Sequence, residues 1–291
     1  MTPDKLSTIT TEERYRRLRE ELMPLFGTRE ATAMSRLIFH ALKGWDTTAL
    51  VVHARDLLSE FTLARIDEIL ARLRQGEPLQ YILGEARFYG MTLKVDRSTL
   101  IPRPETEELV EMIVNDCRDR KDLRVLDIGT GSGAIAIALS RNLLFPHVEA
   151  IDISSEALDV ARDNARSLHA RVEFRHADVF SLEPAPRSLD VIVSNPPYIC
   201  HKEMAEMEKN VLDHEPHTAL FVPDSDPLLF YRRIADIGRT ALVEQGRLYF
   251  EINPIYAEPM RDMLRDRGYE DIDILNDLSG KQRFIRALET V

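Results

Sequence analysis

One segment determines the fold class of this chain: Val125-Leu126-Asp127-Ile128 runs into Gly129-Thr130-Gly131-Ser132-Gly133, which precedes the apolar run Ala134–Leu139. The first four residues have the pattern of a buried strand, and the apolar run has that of a buried helix. Glycines at alternate positions allow a sharp turn, and they let a ligand approach the main chain without a Cβ in the way. The segment therefore predicts a strand, a glycine-rich turn and a helix that together bind a nucleoside.

Strand and helix patterns alternate from residue 124 to the end of the chain. The predicted strands are Arg124–Ile128, Val148–Ile151, Val172–Arg175, Leu189–Ser194, Arg247–Ile252, Asp271–Leu275 and Arg283–Ala287. The predicted helices between them are Ala134–Arg141, Glu156–Leu168, Pro227–Leu242 and Tyr256–Arg267. Such alternation predicts an α/β fold in which helices cover both faces of a mostly parallel sheet.

The N-terminal part of the chain shows helix patterns only. Four apolar stripes at helical spacing predict four short amphipathic helices. Thr10 and Glu13 form a capping box before the first stripe, and Asp46 can cap a third helix that runs through Leu58. We therefore predict residues 1–85 as a small all-helical bundle for substrate recognition or support, residues 86–100 as a β-hairpin linker, and residues 101–291 as the α/β domain.

Composition and charge exclude several classes of protein. Of 291 residues, 44% are hydrophobic, and the formal net charge is −11. The longest apolar run, Ala134–Leu139, is far shorter than the ~20 residues that span a bilayer, and the N-terminus lacks the apolar segment of a secretory signal. The acidic total disfavours nucleic acid as the main partner, because a phosphate-binding surface normally carries excess Lys and Arg. The short apolar runs therefore predict a protein without membrane association. Because Cys117 and Cys200 are too few for a disulfide framework, we expect a reducing compartment, the cytoplasm.

The glycine spacing and an acid on the next strand indicate the cofactor. The order is G-x-G-x-G rather than the G-x-G-x-x-G of dinucleotide-binding proteins, so no diphosphate is expected above the turn. Asp152 ends the next strand, where a carboxylate can accept both hydroxyls of a ribose. The predicted cofactor is S-adenosyl-L-methionine, with S-adenosyl-L-homocysteine as product, and a nicotinamide dinucleotide is the alternative. Asp178 is either a contact for the adenine amino group or a helix cap.

A second motif, Asn195-Pro196-Pro197-Tyr198, follows the predicted strand Leu189–Ser194. The two prolines make this turn rigid before anything binds. The strands that precede the two motifs flank the switch point of a doubly wound sheet, so both motifs are expected to face one crevice. The Asn195 carboxamide oxygen and the Pro196 carbonyl can each accept one N–H of a planar amide or amine, on which Tyr198 can stack. This arrangement orients a weak nitrogen nucleophile for methyl transfer and requires no metal.

Segments spread over almost the whole chain have counterparts in one known family. They are Gln80–Gly84, Phe88–Gly90, Leu100–Glu107, Asp127–Gly133, Ser194–Ile199, Glu215-Pro216 and Ala219-Leu220. Together they resemble the protein-(glutamine-N5) methyltransferases of peptide chain release factors, the PrmC or HemK family. Asn-Pro-Pro-Tyr alone is shared with enzymes that methylate amino groups of DNA and RNA, so Ile101–Glu107 and the helical N-terminal domain narrow the resemblance.

The resemblance implies a seven-stranded Rossmann-like domain that uses S-adenosyl-L-methionine to methylate the glutamine in the Gly-Gly-Gln tip of class I peptide chain release factors. It implies that the helical bundle contacts the release factor away from that tip. The implied cofactor-binding residues are Gly129, Thr130, Gly131, Ser132, Gly133, Asp152, Asp178, Val179 and Asn195. The implied substrate-binding residues are Asn195, Pro196, Pro197 and Tyr198, of which Asn195, Pro196 and Tyr198 are expected to be catalytic.

The chain also has features that depart from the family or admit two interpretations. Val179 stands where many relatives have an aromatic residue, and Asn253 stands where many have glycine. We therefore expect aliphatic packing of the adenine. Arg103 and Glu105 either belong to the closing wall of the site or pair with each other. We interpret His214–His217 as a solvated loop rather than a metal site, because its proline breaks the helix face.

Two other functions remain as alternatives to glutamine methylation. An amino methyltransferase acting on adenine or cytosine in DNA or RNA could use the same pocket, and an electropositive groove leading to Asn195 would favour it. A non-enzymatic adaptor that retains the cofactor fold would be favoured if the protein did not bind S-adenosyl-L-methionine.

Overall fold

The computed structural model describes residues 6–207 and 209–290. The chain divides between Gly84 and Glu85 into two compact units. Each unit contains its own apolar core. No helix within the described ranges is both long enough and apolar enough to cross a membrane.

The N-terminal unit is a helical bundle with one short pair of strands. Its elements are β1 (Leu6–Thr10), α1 (Thr11–Lys43), α2 (Thr47–Val52), β2 (Leu57–Ser59), α3 (Glu60–Arg74) and α4 (Leu79–Leu83). The first two predicted helices are the halves of α1, which is kinked at Gly27, where φ is +75°. Both predicted N-caps are confirmed: Thr10 accepts from the Glu13 N–H, and Asp46 accepts from the Ala49 N–H. Of the predicted capping box only the Thr10 half is observed, and the Glu13 carboxylate accepts from Arg17 instead.

The prediction that this unit contains helices only is wrong at one place. The segment β2 pairs antiparallel with β1, and α2 ends at Val52 instead of continuing through Leu58. None of the residues of α2 is fully buried, and Leu50 alone of them packs against the core of the unit, so little apolar packing favours a longer helix. The pairing is strengthened where the Thr11 N–H donates to the Asp56 carbonyl. The short helix α4 was not predicted either.

The second unit is an α/β domain. Its strands are β3 (Glu85–Phe88), β4 (Met91–Lys94), β5 (Arg124–Ile128), β6 (His147–Asp152), β7 (Val172–His176), β8 (Leu189–Ser194), β9 (Ile199–Cys200), β10 (Phe221–Val222), β11 (Leu242–Glu251), β12 (Glu270–Asn276) and β13 (Gln282–Leu288). Its α-helices are α5 (Pro104–Asp116), α6 (Ala134–Asn142), α7 (Ser155–Ser167), α8 (Lys209–His214), α9 (His217–Leu220), α10 (Leu229–Ala241) and α11 (Ala257–Asp266). Short 3-10 helices occupy Val179–Ser181, His201–Glu206 and Pro254–Tyr256.

Seven strands form the main sheet in the order β12-β13-β11-β8-β5-β6-β7. The strand β13 is antiparallel to both of its neighbours, and the remaining adjacent pairs are parallel. From β5 the chain proceeds outward to β6 and β7, and it then returns to β8 on the other side of β5. The carboxyl ends of β5 and β8 therefore flank a switch point, which is where such sheets bind ligands. This confirms the predicted fold class.

Helices cover both faces of the sheet because alternate residues of each strand pack in opposite directions. Val125 of β5 belongs to the core on one face, together with residues of α5 and α6. Leu126, the next residue, belongs to the core on the other face, with residues of α10 and α11. Burial on both faces explains why the central strands β5 and β8 and the second half of β11 are mostly apolar in the sequence.

The predicted hairpin is formed by β3 and β4, with Tyr89 and Gly90 at the turn, both at positive φ. Its apolar residues, including Phe88 and Leu93, join the core of the second unit. The main-chain N–H of Lys94 donates to Asn164 Oδ1 at 2.7 Å, and Asn164 Nδ2 donates back to the Lys94 carbonyl at 2.9 Å. The hairpin is thus an integral part of the second unit, whereas the sequence suggested a linker.

Most predicted boundaries agree with the observed ones to within two residues. Within the second unit, the largest difference is in β11, which begins at Leu242 rather than at Arg247. The short parallel pair of β9 and β10, together with α8 and α9, was not predicted. Segments of two to six residues are too short to show a clear apolar period in the sequence.

Candidate active site

The three glycines of the turn after β5 all adopt positive φ, with values of 76° at Gly129, 54° at Gly131 and 83° at Gly133. A Cβ added at Gly129 or Gly131 would meet no described atom within 4 Å, so open space lies next to the main chain there. A Cβ at Gly133 would instead lie 2.9 Å from Ile137 Cδ1 and 3.2 Å from Ala161 Cβ. The first two glycines thus leave room for a ligand, while Gly133 permits close packing of α6 against α7.

Two acidic residues with different environments lie next to this turn. Asp152, at the end of β6, accepts the Gly131 N–H at 2.8 Å and the Ser154 N–H at 2.9 Å. Asp127, at the end of β5, is completely buried, and its Oδ2 accepts from the Thr130 hydroxyl at 2.7 Å and the Ala136 N–H at 3.2 Å. The other oxygen of Asp127, Oδ1, is buried without a hydrogen-bond partner among the described residues.

Asp127 was not predicted as a site residue, although it lies within the segment Val125–Gly133 that connects β5 to α6. Burial raises the pKa of this carboxyl to about 7, and the hydrogen bonds from Thr130 and Ala136 oppose that rise. An unsatisfied buried oxygen carries a desolvation cost that a bound donor would relieve. Together with the open space at Gly129 and Gly131, it fits the ammonium group of an amino-acid tail such as that of S-adenosyl-L-methionine. The sequence did contain a signal for this role, because Asp127 is a charged residue within an otherwise apolar strand, and such residues are rarely buried without a partner.

The structure brings the other predicted cofactor residues to the same edge of the sheet. The Gly129 N–H donates to the Ile151 carbonyl at 2.9 Å, and the Ala177 N–H donates to the Asp152 carbonyl at 3.0 Å. These bonds connect the loops after β5, β6 and β7 in order. Asp178 follows Ala177 and is exposed, and its side chain caps the next 3-10 helix by accepting the Phe180 N–H at 2.9 Å. Val179 is half-buried and packs against the core that contains Ile151.

The Asn-Pro-Pro-Tyr turn follows β8, directly beside the glycine turn. The Ser194 hydroxyl donates to the Ile128 carbonyl at 2.7 Å, so the ends of β8 and β5 are joined immediately before the two motifs. Asn195 is half-buried and Pro196 is buried. The Tyr198 hydroxyl lies 3.3 Å from Glu251 Oε1, and burial raises the pKa of Tyr198 well above its usual value. Tyr198 is therefore a neutral hydrogen-bond donor at physiological pH.

A cavity of about 240 Å³ opens beside this turn. Its lining, which is mostly apolar, consists of Leu100, Arg103, Asn195, Tyr198, Ile199, Met207, Val211, Ala219 and Leu220. The polar groups at its wall are therefore those of Asn195, Tyr198 and Arg103. A larger open groove of about 1540 Å³ lies at the opposite edge of the sheet, where β5 and β6 begin, and contains none of the predicted site residues.

Arg103 belongs to the cavity wall, and its ionic partner is Glu215 rather than Glu105. Arg103 Nη2 donates to Glu215 Oε1 at 2.7 Å, and the Ile101 N–H donates to Glu215 Oε2 at 3.4 Å. Glu215 is only 4% exposed. The prediction of a solvated loop at His214–His217 is therefore wrong for Glu215, which lies between α8 and α9 and is buried as the partner of Arg103. No cluster of three His, Cys, Asp or Glu side chains suited to a metal exists in the described ranges.

Two further buried residues contact the Asn-Pro-Pro-Tyr turn and were missed. The Thr106 hydroxyl, at the start of α5, donates to Glu251 Oε2 at 2.7 Å, and Asn195 Nδ2 lies 3.4 Å from Thr106 Oγ1. Burial raises the pKa of Glu251, and the hydrogen bond from Thr106 and the charge of Arg283 oppose that rise. The order of these residues in the sequence contains no signal for the contact, because Thr106 and Glu251 are 145 positions apart.

Asn253, which departs from the glycine that the resemblance leads us to expect, has a side chain that fits the loop after β11. Its Oδ1 accepts the Ile255 N–H at 3.1 Å, and its Nδ2 donates to Glu203 Oε2 at 3.0 Å. Asn253 is 5% exposed and has φ of −73°, a conformation open to any residue. The loop after β11 is therefore held by a side-chain cap.

Comparison with known proteins identifies relatives of both units. The family model described as PrmC N-terminal domain matches residues 16–84, and the one described as Methyltransferase small domain matches residues 105–216. A release factor glutamine methyltransferase of Bacteroides thetaiotaomicron is 46% identical over 271 residues, which cover 93% of this chain and 97% of that protein. One of Flavobacterium psychrophilum is 40% identical over 92% of this chain and 95% of that protein.

Among solved structures, a methyltransferase from Pyrococcus furiosus superimposes with a TM-score of 0.50 over 79% of this chain and 98% of that chain. The sequence identity of that pair is 16%, so the likeness concerns the fold alone. The matches to the two release factor glutamine methyltransferases are stronger evidence, because both combine at least 40% identity with coverage of more than 90% of each chain. The chain belongs to the release factor glutamine methyltransferase family.

Proposed function

We propose that this protein transfers a methyl group from S-adenosyl-L-methionine to the side-chain amide nitrogen of the glutamine in the Gly-Gly-Gln motif of class I peptide chain release factors. The observation that carries the proposal is the position of Asn195. It follows β8 at the switch point, beside the glycine turn of β5, and it lines a cavity of about 240 Å³. The names of the relatives from Bacteroides thetaiotaomicron and Flavobacterium psychrophilum support a release factor glutamine as substrate.

In this proposal the open side of the glycine turn receives the cofactor, which supplies an electrophilic methyl group on sulfonium. Gly129 and Gly131 leave space at the main chain, and Asp127 Oδ1 receives the ammonium group of the amino-acid tail. Thr130, Ser132 and Gly133 complete the turn. The remaining contacts are assigned to Asp152 for the ribose, Asp178 and Val179 for the adenine, and Asn195 at the reacting end.

The Asn-Pro-Pro-Tyr turn holds the substrate amide. Asn195 Oδ1 and the Pro196 carbonyl each accept one N–H of the amide, which polarises the nitrogen and fixes its direction. Pro197 keeps the turn rigid, and Tyr198 packs on the planar group. Because orientation of reacting groups is worth up to about 7–11 kcal/mol, this geometry accounts for much of the required acceleration. Methyl transfer would form a nitrogen–carbon bond as the sulfur–carbon bond of the donor breaks, with its electron pair left on sulfur, and the proton lost by the amide nitrogen would pass to solvent.

We assign recognition of the release factor outside its tip to residues 1–85, which match the PrmC N-terminal domain over residues 16–84. Residues 101–291 are assigned to catalysis, with residues 86–100 between them. No nucleic acid and no membrane takes part in the proposed reaction. We place the protein in the cytoplasm because peptide release takes place on ribosomes there.

One assay tests the proposal. Labelled S-adenosyl-L-methionine is offered with a class I release factor, with the same factor carrying Ala in place of the tip glutamine, and with bulk RNA and DNA. We expect label in the first sample only. Label in RNA or DNA would favour the alternative of adenine or cytosine methylation, and failure to bind the methyl donor would favour a non-enzymatic adaptor.

A further inference from the structure

We propose that Thr106 and Glu251 are positioning residues, which orient the Asn195 carboxamide so that its oxygen rather than its nitrogen faces the substrate cavity. The inference rests on the proposed function, in which Asn195 accepts a hydrogen bond from the substrate amide. The carboxamide has two ends of nearly equal shape and opposite hydrogen-bonding character. A cavity that selects an amide nitrogen therefore needs a device that prevents the carboxamide from turning over.

The hydrogen bonds among Glu251, Thr106 and Asn195 have fixed directions, and these directions prevent the Asn195 carboxamide from turning over. The hydrogen bond from Thr106 and the charge of Arg283 both favour the ionised form of Glu251. In that form the carboxylate only accepts, so the hydroxyls of Thr106, at 2.7 Å, and Tyr198, at 3.3 Å, both donate to Glu251. A hydroxyl has one hydrogen, and that of Thr106 is directed to the carboxylate. The atom of Asn195 that lies 3.4 Å from Thr106 Oγ1 must then be a donor, which is Nδ2. The oxygen, Oδ1, is left for the substrate.

Burial makes this chain of hydrogen bonds difficult to replace by water. Thr106 is 5% exposed and Glu251 is 1% exposed. The main chain of Glu251 is held separately, since the Tyr231 hydroxyl donates to the Glu251 carbonyl at 3.0 Å. If the Asn195 carboxamide were inverted, its Oδ1 would face the Thr106 oxygen, and two acceptors repel each other. The distance of 3.4 Å is too short for a bridging water molecule between them. The orientation with Oδ1 toward the cavity is therefore the stable one.

The consequence for the reaction is a choice between amide and carboxylate. With Oδ1 of Asn195 and the carbonyl of Pro196 both directed at the substrate, a glutamine amide finds two acceptors, whereas a glutamate carboxylate is repelled. If the constraint is removed, Asn195 is free to present Nδ2, which attracts a carboxylate. Thr106 and Glu251 thus act on specificity without touching the substrate.

The test compares Thr106→Val, which keeps the shape but lacks the hydroxyl, with Thr106→Ser, which keeps the hydroxyl. Methyl transfer to the release factor gives kcat and KM, and calorimetry gives the affinity for S-adenosyl-L-methionine. A competition assay compares binding of release factors with Gln or Glu at the tip. For Thr106→Val we expect kcat to fall roughly tenfold and the preference for Gln over Glu to narrow by about as much, because one buried hydrogen bond is lost. Cofactor affinity is expected to change less than about twofold.

Thr106→Ser is expected to retain most of kcat and the full preference for Gln. Wild-type values for Thr106→Val, or equal losses in both variants, would overturn the inference, because neither result depends on the hydroxyl. If Thr106→Val does not fold, Glu251→Gln takes its place, since it substitutes a donor for one acceptor at the same size. Its retention of the wild-type preference would likewise overturn the inference. A wild-type enzyme that does not methylate the release factor would refute the proposed function itself.

Discussion

At the scale of single residues, the proposed function assigns the main contact with the substrate amide to Asn195, while most of the cofactor contacts are assigned to other loops. The side chain lines the cavity and contributes little to the apolar cores. In Asn195→Ala we expect turnover to fall by roughly 100-fold or more, because an oriented acceptor is lost, while the affinity for S-adenosyl-L-methionine stays near normal. Single-turnover kinetics and calorimetry measure the two quantities. Equal losses in both would contradict the assignment.

Asp127 gives a second prediction, which concerns stability and pH. Its pKa is raised from 3.8 to about 7 in the folded protein by burial. Between these values the folded state binds more protons than the unfolded state, so the free energy of unfolding falls as the pH rises toward 7. Asp127→Asn does not titrate and can still accept from Thr130 and Ala136. We expect the variant to gain stability relative to the parent as the pH is raised.

Thermal unfolding of both proteins without cofactor, at about pH 5 and about pH 8, checks this prediction. The difference in midpoint should favour Asp127→Asn more strongly at the higher pH. The same variant should bind S-adenosyl-L-methionine more weakly, because it presents an N–H where the ammonium group of the cofactor needs an acceptor. Midpoints that differ by the same amount at both pH values would show that Asp127 is ionised throughout.

At the scale of elements, Asn164 on α7 connects the hairpin to the glycine turn. Besides its two bonds to Lys94, its Nδ2 donates to the Ser132 carbonyl at 2.9 Å, and the residue is 1% exposed. Asn164→Ala leaves these main-chain groups buried and unpaired, so we expect a loss of about 2–4 kcal/mol in the free energy of unfolding and weaker cofactor binding. Denaturant titration and calorimetry provide the measurements.

The matched control for this element is Asn115→Ala. Asn115 also lies on a helix and donates from Nδ2, to Glu111 at 3.0 Å, but its bond is exposed. We expect its effect on the free energy of unfolding to stay within about 0.5 kcal/mol. If the two variants lost the same stability, the connection between hairpin and glycine turn would have no special importance.

At the scale of the whole molecule, the two units have separate cores. The core of the N-terminal unit contains residues from Leu18 to Ile82, and the cores of the second unit contain residues from Phe88 to Ala287. We therefore expect a chain of residues 85–291 to fold and to bind S-adenosyl-L-methionine within a few-fold of the full-length affinity. Under the proposed role of residues 1–85, its KM for the release factor should rise much more than its kcat falls.

Circular dichroism, calorimetry and the methylation assay test this expectation with the full-length chain as reference. Loss of cooperative unfolding in the shorter chain would mean that the second unit depends on the first for stability. An unchanged KM for the release factor would show that residues 1–85 do not contribute to its recognition.

Local patterns in the sequence were sufficient for the order of strands and helices, the glycine turn and the Asn-Pro-Pro-Tyr turn. Apolar periodicity and turn residues act over a few neighbouring positions, and the carboxyl ends of β5 and β8 meet because parallel connections follow general rules. The same patterns failed for β2, whose pairing with β1 brings together residues about fifty positions apart.

Contacts between residues that are far apart in the sequence could be identified only from the tertiary structure. Arg103 lies 112 positions before Glu215, and Thr106 lies 145 positions before Glu251. A buried acid is paired with whichever donors the surrounding elements bring to it, and no local pattern records that choice. The amino-acid sequence thus predicted that the glycine turn and the Asn-Pro-Pro-Tyr turn lie together at the switch point, whereas the packing of α5 against the sheet decided that Thr106 contacts both Asn195 and Glu251.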